Sequence, residues 1–342
     1  MTTRQRIALL APVVAGFPEL AGWGDADALL QVVKKELGAE DALELGAVAP
    51  PRLLHIISAN TAMAGMQSLV RGIILGSENW LKLPGAGLPR LEEMVDKLPP
   101  ALRKNVHLSR QLEPGWLENA DAVIVFGSDA TVETFRKQVD PSRIFAGYGH
   151  RWSGAVVFAD PDFSSVEKLL EDIVLYDQMG CLSAQIIWLG AEVKAIRYGQ
   201  NLAEALERYI GKNKPVPLAP DERSSVASWR LAREWDIATQ GGRAWFSAGE
   251  PVWGLVVGDT ASAPILSCLH RHVLLLPFSK LPNLGNLAGS VSTLGVWPDN
   301  ANCRGQLATL GAFRMCPVGE MQFPGPDWHQ DGVPALARLV KF

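Results

Sequence analysis

Short apolar runs alternate with stretches of helical spacing along most of the chain. Leu53 to Ser58 (LLHIIS) is a compact apolar run that ends just before Asn60, and Gly72 to Leu83 (GIILGSENWLKL) is the next. Between them Ala62, Met66, Leu69 and Val70 recur at the three- and four-residue intervals of one helix face. The reading is strand, loop, helix, strand. Glu92 to Leu98 reads as a further helix, and Asp121 to Phe126 (DAVIVF) as a buried strand closed by Gly127. Such alternation predicts an α/β fold with a mostly parallel sheet and helices on both faces.

A second series begins at Gly154 to Phe158 (GAVVF), read as a strand. Val166, Leu169, Leu170, Ile173 and Val174 then place an apolar stripe on a helix ending near Tyr176. After a break at Gly180, Ala184 to Leu189 is strand-like, so Cys181 falls at a helix-to-strand junction. Leu202 to Tyr209 and Ser225 to Trp235 read as helices joined by the proline-bearing, charged segment Gly211 to Glu222.

A length of 342 residues gives a prior of two domains. With 48% apolar and 20% charged residues and 11 Trp, the chain can bury a large core, which excludes disorder as its main state. A net charge of -4 without any long basic block argues against nucleic acid as a partner and for small soluble ones. Four cysteines without metal-site spacing fit a reducing cytoplasm, and no metal is expected. Arg4 and Arg6 precede the apolar stretch Ile7 to Phe17, but Pro12 interrupts it and no small-residue cleavage site follows, so no signal peptide is read there. No window reaches the ~18 uninterrupted apolar residues of a membrane span.

Four segments could carry chemistry. In Gln178 to Ser183 (QMGCLS) a glycine and a loop position give the Cys181 thiol access to a cavity, which a nucleophile needs; a small buried hydrophobe is the bland alternative. Gly127 and Ser128, after a buried strand and before a helix, suit a phosphate on converging backbone N–H groups, or simply an N-capped helix. Phe145 to Gly154 (FAGYGHRWSG) sets His150 and Arg151 among glycines, which reads as a flexible turn with titratable groups or a merely solvated one. In the strand-like LHRHVLLL, His270 and His272 share one face near Cys268, but no second ligand pair follows and zinc is rejected.

Taken in order, these segments resemble the aldehyde dehydrogenase superfamily, and within it the acyl-CoA reductase branch of the bacterial bioluminescence fatty-acid reductase type. His55 to Asn60 (HIISAN) is similar to the strand and loop carrying the oxyanion-stabilising Asn. Gly76 to Lys82 (GSENWLK) is similar to the segment whose Lys contacts the adenosine ribose, and Gly127–Ser128 to the turn under the cofactor phosphates. Tyr176 to Ser183 resembles the catalytic-cysteine motif, and Arg314 to Met321 the C-terminal signature. The likeness spans about residues 53 to 342. Departures are Tyr148 where the superfamily's general-base Glu would fall, with His150 the nearest titratable substitute; Thr61–Ala62 in place of Val–Pro; and a short region ahead of Asn60.

The resemblance implies an aldehyde-dehydrogenase-like fold: a Rossmann-like nicotinamide-cofactor domain over 1–147, an α/β catalytic domain over 148–312, and a C-terminal segment, 313–342, returning to the domain interface. It implies reduction of a long-chain acyl-CoA to fatty aldehyde through an acyl-Cys181 intermediate. Asn60 then stabilises the oxyanion, His150 handles a proton, and Lys82, Gly85, Gly127 and Ser128 hold the cofactor. Gly85, where NAD-preferring relatives carry a ribose-binding Glu, favours NADPH over NADH, with Arg90 or Lys97 available to a 2'-phosphate. An acyl-CoA or acyl-protein donor, an acyl-protein synthetase partner and homo-oligomerisation follow by analogy. A non-catalytic acyl- or partner-binding scaffold and an oxidative aldehyde dehydrogenase are the competing readings.

Overall fold

The computed structural model describes residues 1–59, 62–250, 252–258, 266–280, 284 and 287–342. The chain forms two units, Met1–His150 with Phe323–Phe342, and Arg151–Gln322. The expected C-terminal segment 313–342 is thereby divided, its first residues in the second unit and the rest in the first.

The first unit opens with helices α1 (Thr3–Val14), α2 (Ala26–Leu37) and α3 (Ala42–Leu45). The alternating series follows: β1 (Arg52–Ile56), α4 (Ala62–Leu75), β2 (Glu78–Lys82), α5 (Pro89–Asp96), α6 (Pro100–Arg103), β3 (Val106–Ser109), α7 (Trp116–Asn119), β4 (Ala122–Phe126), α8 (Asp129–Gln138) and β5 (Ile144–Tyr148). Its five strands are parallel in the order β3-β2-β1-β4-β5. The inner strand β4 is buried at every position, as a strand covered on both faces must be. The first four residues of the Gly72–Leu83 run belong to α4, a helix buried nearly all round, and only Glu78–Lys82 is strand. A buried polar cluster lies inside this unit: the His55 ring meets Ser68 Oγ at 2.7 Å and Asn79 Oδ1 at 3.1 Å, and burial pulls its pKa down to about 4. Gly72 permits this, since a Cβ there would lie 1.8 Å from Asn79 Oδ1.

The second unit holds β6 (Trp152–Val157), α9 (Ser165–Val174), β7 (Ala184–Gly190), α10 (Ala195–Lys212), α11 (Pro220–Gln240), β8 (Arg243–Phe246), β9 (Gly254–Val257), β10 (His272–Phe278), β11 (Val291–Trp297), α12 (Ala301–Leu307) and β12 (Arg314–Pro317). Its seven strands run in the order β12-β11-β6-β7-β10-β9-β8, parallel except for the antiparallel edge pair β8–β9. β7 is buried along its whole length, and α9 packs Val166, Leu169, Leu170 and Ile173 into the same core. This is the expected α/β class, with a mostly parallel sheet in each unit.

Two local expectations are corrected. The glycine-rich stretch 145–154 is not one flexible turn: most of it lies in β5 and β6, and only Gly149 to Arg151 connects them. The ladder partner of Phe126 fixes Tyr148 inside the first sheet. His270 and His272 do not share a strand face either, because β10 starts at His272 and His270 lies in the preceding left-handed turn. Among the described residues no helix is long and apolar enough to cross a membrane.

Candidate active site

In the first unit the strand order reverses direction between β1 and β4, and loops leaving strand C-termini at such a switch point form the crevice where open α/β sheets take ligands. Lys82 stands opposite Ile56 at the end of β2, and the Ile57 N–H donates to the Lys82 carbonyl at 3.0 Å. Gly127 follows β4, its N–H donating to the Tyr148 carbonyl at 3.2 Å. Ser128 is the N-cap of α8, its hydroxyl accepting from the Thr131 N–H at 3.2 Å. Lys82, Gly127, Ser128 and Tyr148 therefore lie along one sheet edge. Asn60, in the loop after β1, lies outside the described residues, as does Thr61.

This edge fits a dinucleotide in part. Exposed Ser128 and Asp129 start a helix whose positive end suits phosphate, and a Cβ on Gly127 would press on Thr131 at 3.0 Å. Opposing it, the Asp129 carboxylate sits in the first turn, where its Oδ1 accepts from the His150 N–H at 2.8 Å. A Cβ on Gly85 would meet nothing within 4 Å, so a side chain has room there and the missing carboxylate is a matter of charge and not of space. The cations expected to meet a 2'-phosphate are otherwise engaged. Arg90 pairs with Glu19 at 2.6 Å and also with Glu93, and Lys97 pairs with Glu93 at 2.6 Å. Tyr148 is a buried aromatic stacked on Phe126 with centroids 4.9 Å apart, whereas His150 is exposed.

In the second unit Cys181 occupies the turn between α9 and β7, half-buried and in no disulfide. Burial pushes the Cys268 and Cys316 thiols up to about 12, which disfavours their thiolates, and Cys303 is a buried residue of α12.

Side chains hold the cysteine turn from several directions. Gln178 donates from Nε2 to the carbonyls of Ala184 (2.7 Å) and His272 (3.0 Å), while its Oε1 accepts from the His272 N–H at 2.9 Å. Its amide thus bridges the first residues of the neighbouring strands β7 and β10. Tyr176, Asp177 and Gln178 all have left-handed backbones, as do Leu269, His270 and Arg271 across from them, and the Arg271–Asp177 ion pair ties the two segments. Each such residue costs about 1–3 kcal/mol and persists only where surrounding contacts impose it. On the other side Ser153 Oγ donates to the Cys181 carbonyl at 2.6 Å, and Gln322 Nε2 donates to Ser183 Oγ at 2.9 Å. The loop bearing Gln322 is held in turn by Asp172, whose carboxylate accepts from the N–H groups of Gly319 (2.6 Å) and Met321 (3.0 Å). Burial raises the Asp172 pKa to about 7 against those two bonds.

Sequence reasoning gave Gln178, Ser153, Asp172, Arg271 and Gln322 no role. Asp172 flanks the apolar stripe of α9 and is buried with it.

The family model described as acyl-CoA reductase (LuxC) matches residues 101–342. The long-chain acyl-protein thioester reductase of Photobacterium phosphoreum is 21% identical over 347 aligned positions, covering 92% of this chain and 68% of the relative. That of Aliivibrio fischeri is 20% identical, covering 84% and 62%. Among solved structures, the gamma-glutamyl-gamma-aminobutyraldehyde dehydrogenase of Burkholderia cenocepacia J2315 superposes with a TM-score of 0.66 at 14% identity, covering 100% of this chain and 83% of the other. The lactaldehyde dehydrogenase of Escherichia coli does so with 0.65 at 13% identity, covering 100% and 86%.

Proposed function

The chain belongs to the acyl-CoA reductase (LuxC) family and is an oxidoreductase of the acyl or aldehyde group, and from that premise we propose that it reduces a long-chain acyl thioester to the aldehyde, with Cys181 as nucleophile and NADPH as reductant. The observation that carries the reading is the Cys181 turn: a half-buried cysteine in a glycine-containing turn whose backbone is pinned by side chains.

The Cys181 thiolate attacks the thioester carbonyl, the donor thiol leaves, and the acyl group remains on the sulfur. The Cys181 backbone N–H and the Asn60 amide stabilise the oxyanion, one such donor being worth about 3–4 kcal/mol of barrier. A nicotinamide, when bound, supplies the hydride that takes the acyl carbon to the aldehyde level. The thiohemiacetal on Cys181 then collapses, releasing aldehyde and regenerating the thiol, with His150 as the titratable group for the proton. Lys82, Gly127 and Ser128 hold the cofactor along the first sheet's edge. Tyr148 in place of a carboxylate supports this direction, because no water has to be activated. The acyl group arrives on coenzyme A or on a protein, the latter being the donor in the relatives' names.

Single-turnover incubation with radiolabelled hexadecanoyl-coenzyme A, mass mapping and an NADPH chase test the proposal. Label on Cys181 that leaves as aldehyde is the expected result; absence of label, or label that leaves only as free acid, overturns it.

A further inference from the structure

Both hydrogen-bond ladders that flank β6 slip at Ser153. On the β7 side Ser153 faces Ala184 but Gly154 already faces Ile186, and on the β11 side the pairing jumps from Val291 to Leu294 while β6 advances only from Trp152 to Gly154. A slip of this kind leaves an extra residue on the longer strand and interrupts the regular ladder. The Ser153 hydroxyl, wholly buried, fills the gap on the β11 side, where it accepts from the Thr293 N–H at 3.1 Å. It donates at 2.6 Å to the Cys181 carbonyl, which lies just ahead of β7.

The direction of that second bond matters. With its lone pair held by Thr293, the hydroxyl proton is aimed at Cys181, so the donor is oriented by the sheet and not by solvent. Anchoring the Cys181 carbonyl limits rotation about the bond that carries it, and with Gln178 holding the turn's other end at Ala184, the Cys181 Cα is held from both sides. An alanine would leave the Thr293 N–H and the Cys181 carbonyl without this partner inside the core, yet would disturb no packing volume.

We propose that Ser153 is a positioning residue for Cys181, transmitting the register of β6 and β11 to the backbone that presents the thiol and its N–H. This deepens the thioester-reductase reading and rests on it for its catalytic meaning, though the positioning itself is a property of the fold.

The test compares Ser153→Ala, Ser153→Cys, which keeps the volume with a much weaker donor, and Ser153→Thr, which keeps the hydroxyl. Pre-steady-state acylation by hexadecanoyl-coenzyme A is measured beside alkylation of Cys181 by iodoacetamide and amide exchange over residues 179–184. In the Ala and Cys variants acylation should slow about ten- to a hundredfold with KM nearly unchanged, alkylation should change far less, and exchange over 179–184 should quicken. The Thr variant should recover most of the acylation rate. A folded Ala or Cys variant that acylates and exchanges like the wild type overturns the proposal. If wild type itself is not acylated, the function proposed above fails instead, and amide exchange alone decides: faster exchange in the variants upholds the positioning role, unchanged exchange removes it.

Discussion

The two candidate sites are built on opposite logics. Along the first sheet the residues that would hold a cofactor lie at or just after strand C-termini, are half-buried or exposed, and depend on backbone groups and one helix start; α8 has no buried residue at all. Around Cys181 the turn lies at a strand N-terminus, beyond the end of α9, and is shaped by buried side chains: Ser153 from β6, Gln322 from the 317–322 loop, and the turn's own Gln178, which bonds the backbone of β10. A backbone-built site tolerates substitution because many sequences provide the same N–H groups. A side-chain-built site depends on particular residues, and single substitutions there should be felt at the chemistry.

The largest test of that contrast is Cys181→Ala, which should lower aldehyde formation by about four orders of magnitude or more, with Cys268→Ala retaining most of it. Label appearing on Cys268 in a mapped acylation would break the contrast outright. Next is Asp172→Asn, which leaves one of the two N–H groups poorly matched and should cost about 1–3 kcal/mol in urea unfolding. The pH dependence has a definite sign. Asp172 binds its proton more tightly folded (about 7) than at its ordinary 3.8, so its contribution is complete below the lower value and is lost as pH rises through the upper one. The wild type's lead over Asp172→Asn should therefore shrink between those two pH values, and a lead that widens would contradict the assignment.

Smaller effects belong to the first unit. Ser128→Ala removes an N-cap and should cost about 1 kcal/mol in thermal unfolding while iodoacetamide alkylates Cys181 at the wild-type rate. Asp129→Asn keeps an acceptor for the His150 N–H but removes a negative charge from the helix start. If phosphate binds there, NADPH affinity read by fluorescence titration should rise about two- to fivefold.

The buried strands were legible because a strand covered on both faces must be a short apolar run, as in β4 and β7. Edge strands were not: β3 buries mainly its first residue, and β8 is exposed or half-buried throughout, so neither shows a continuous run. α1 escaped notice because Pro12 lies inside it and its apolar positions form no clear stripe. At the site, the order of motifs pointed to the cysteine turn. Arg90 and Lys97, which charge makes available to a 2'-phosphate, pair in the structure with Glu19 and Glu93, partners that charge alone does not reveal. Ser153 gave no signal in the sequence, because no periodicity announces the ladder slip that brings its hydroxyl to the Thr293 N–H.

The first unit is closed by residues that are synthesised after the whole of the second. Trp23 donates its indole N–H to the Pro324 carbonyl, Glu36 accepts from the N–H groups of Leu336 and Ala337, and Val48 pairs with Lys341. On the ribosome, the residues that build the five-stranded sheet emerge first, yet the unit must wait with part of its surface uncovered while 151–322 is translated. The second unit, contiguous in sequence, can complete itself in a single passage. Nascent chains ending at residue 322, held on the ribosome by a linker long enough to clear the exit tunnel, should accordingly present a protease-resistant second unit beside a first that is still open to digestion.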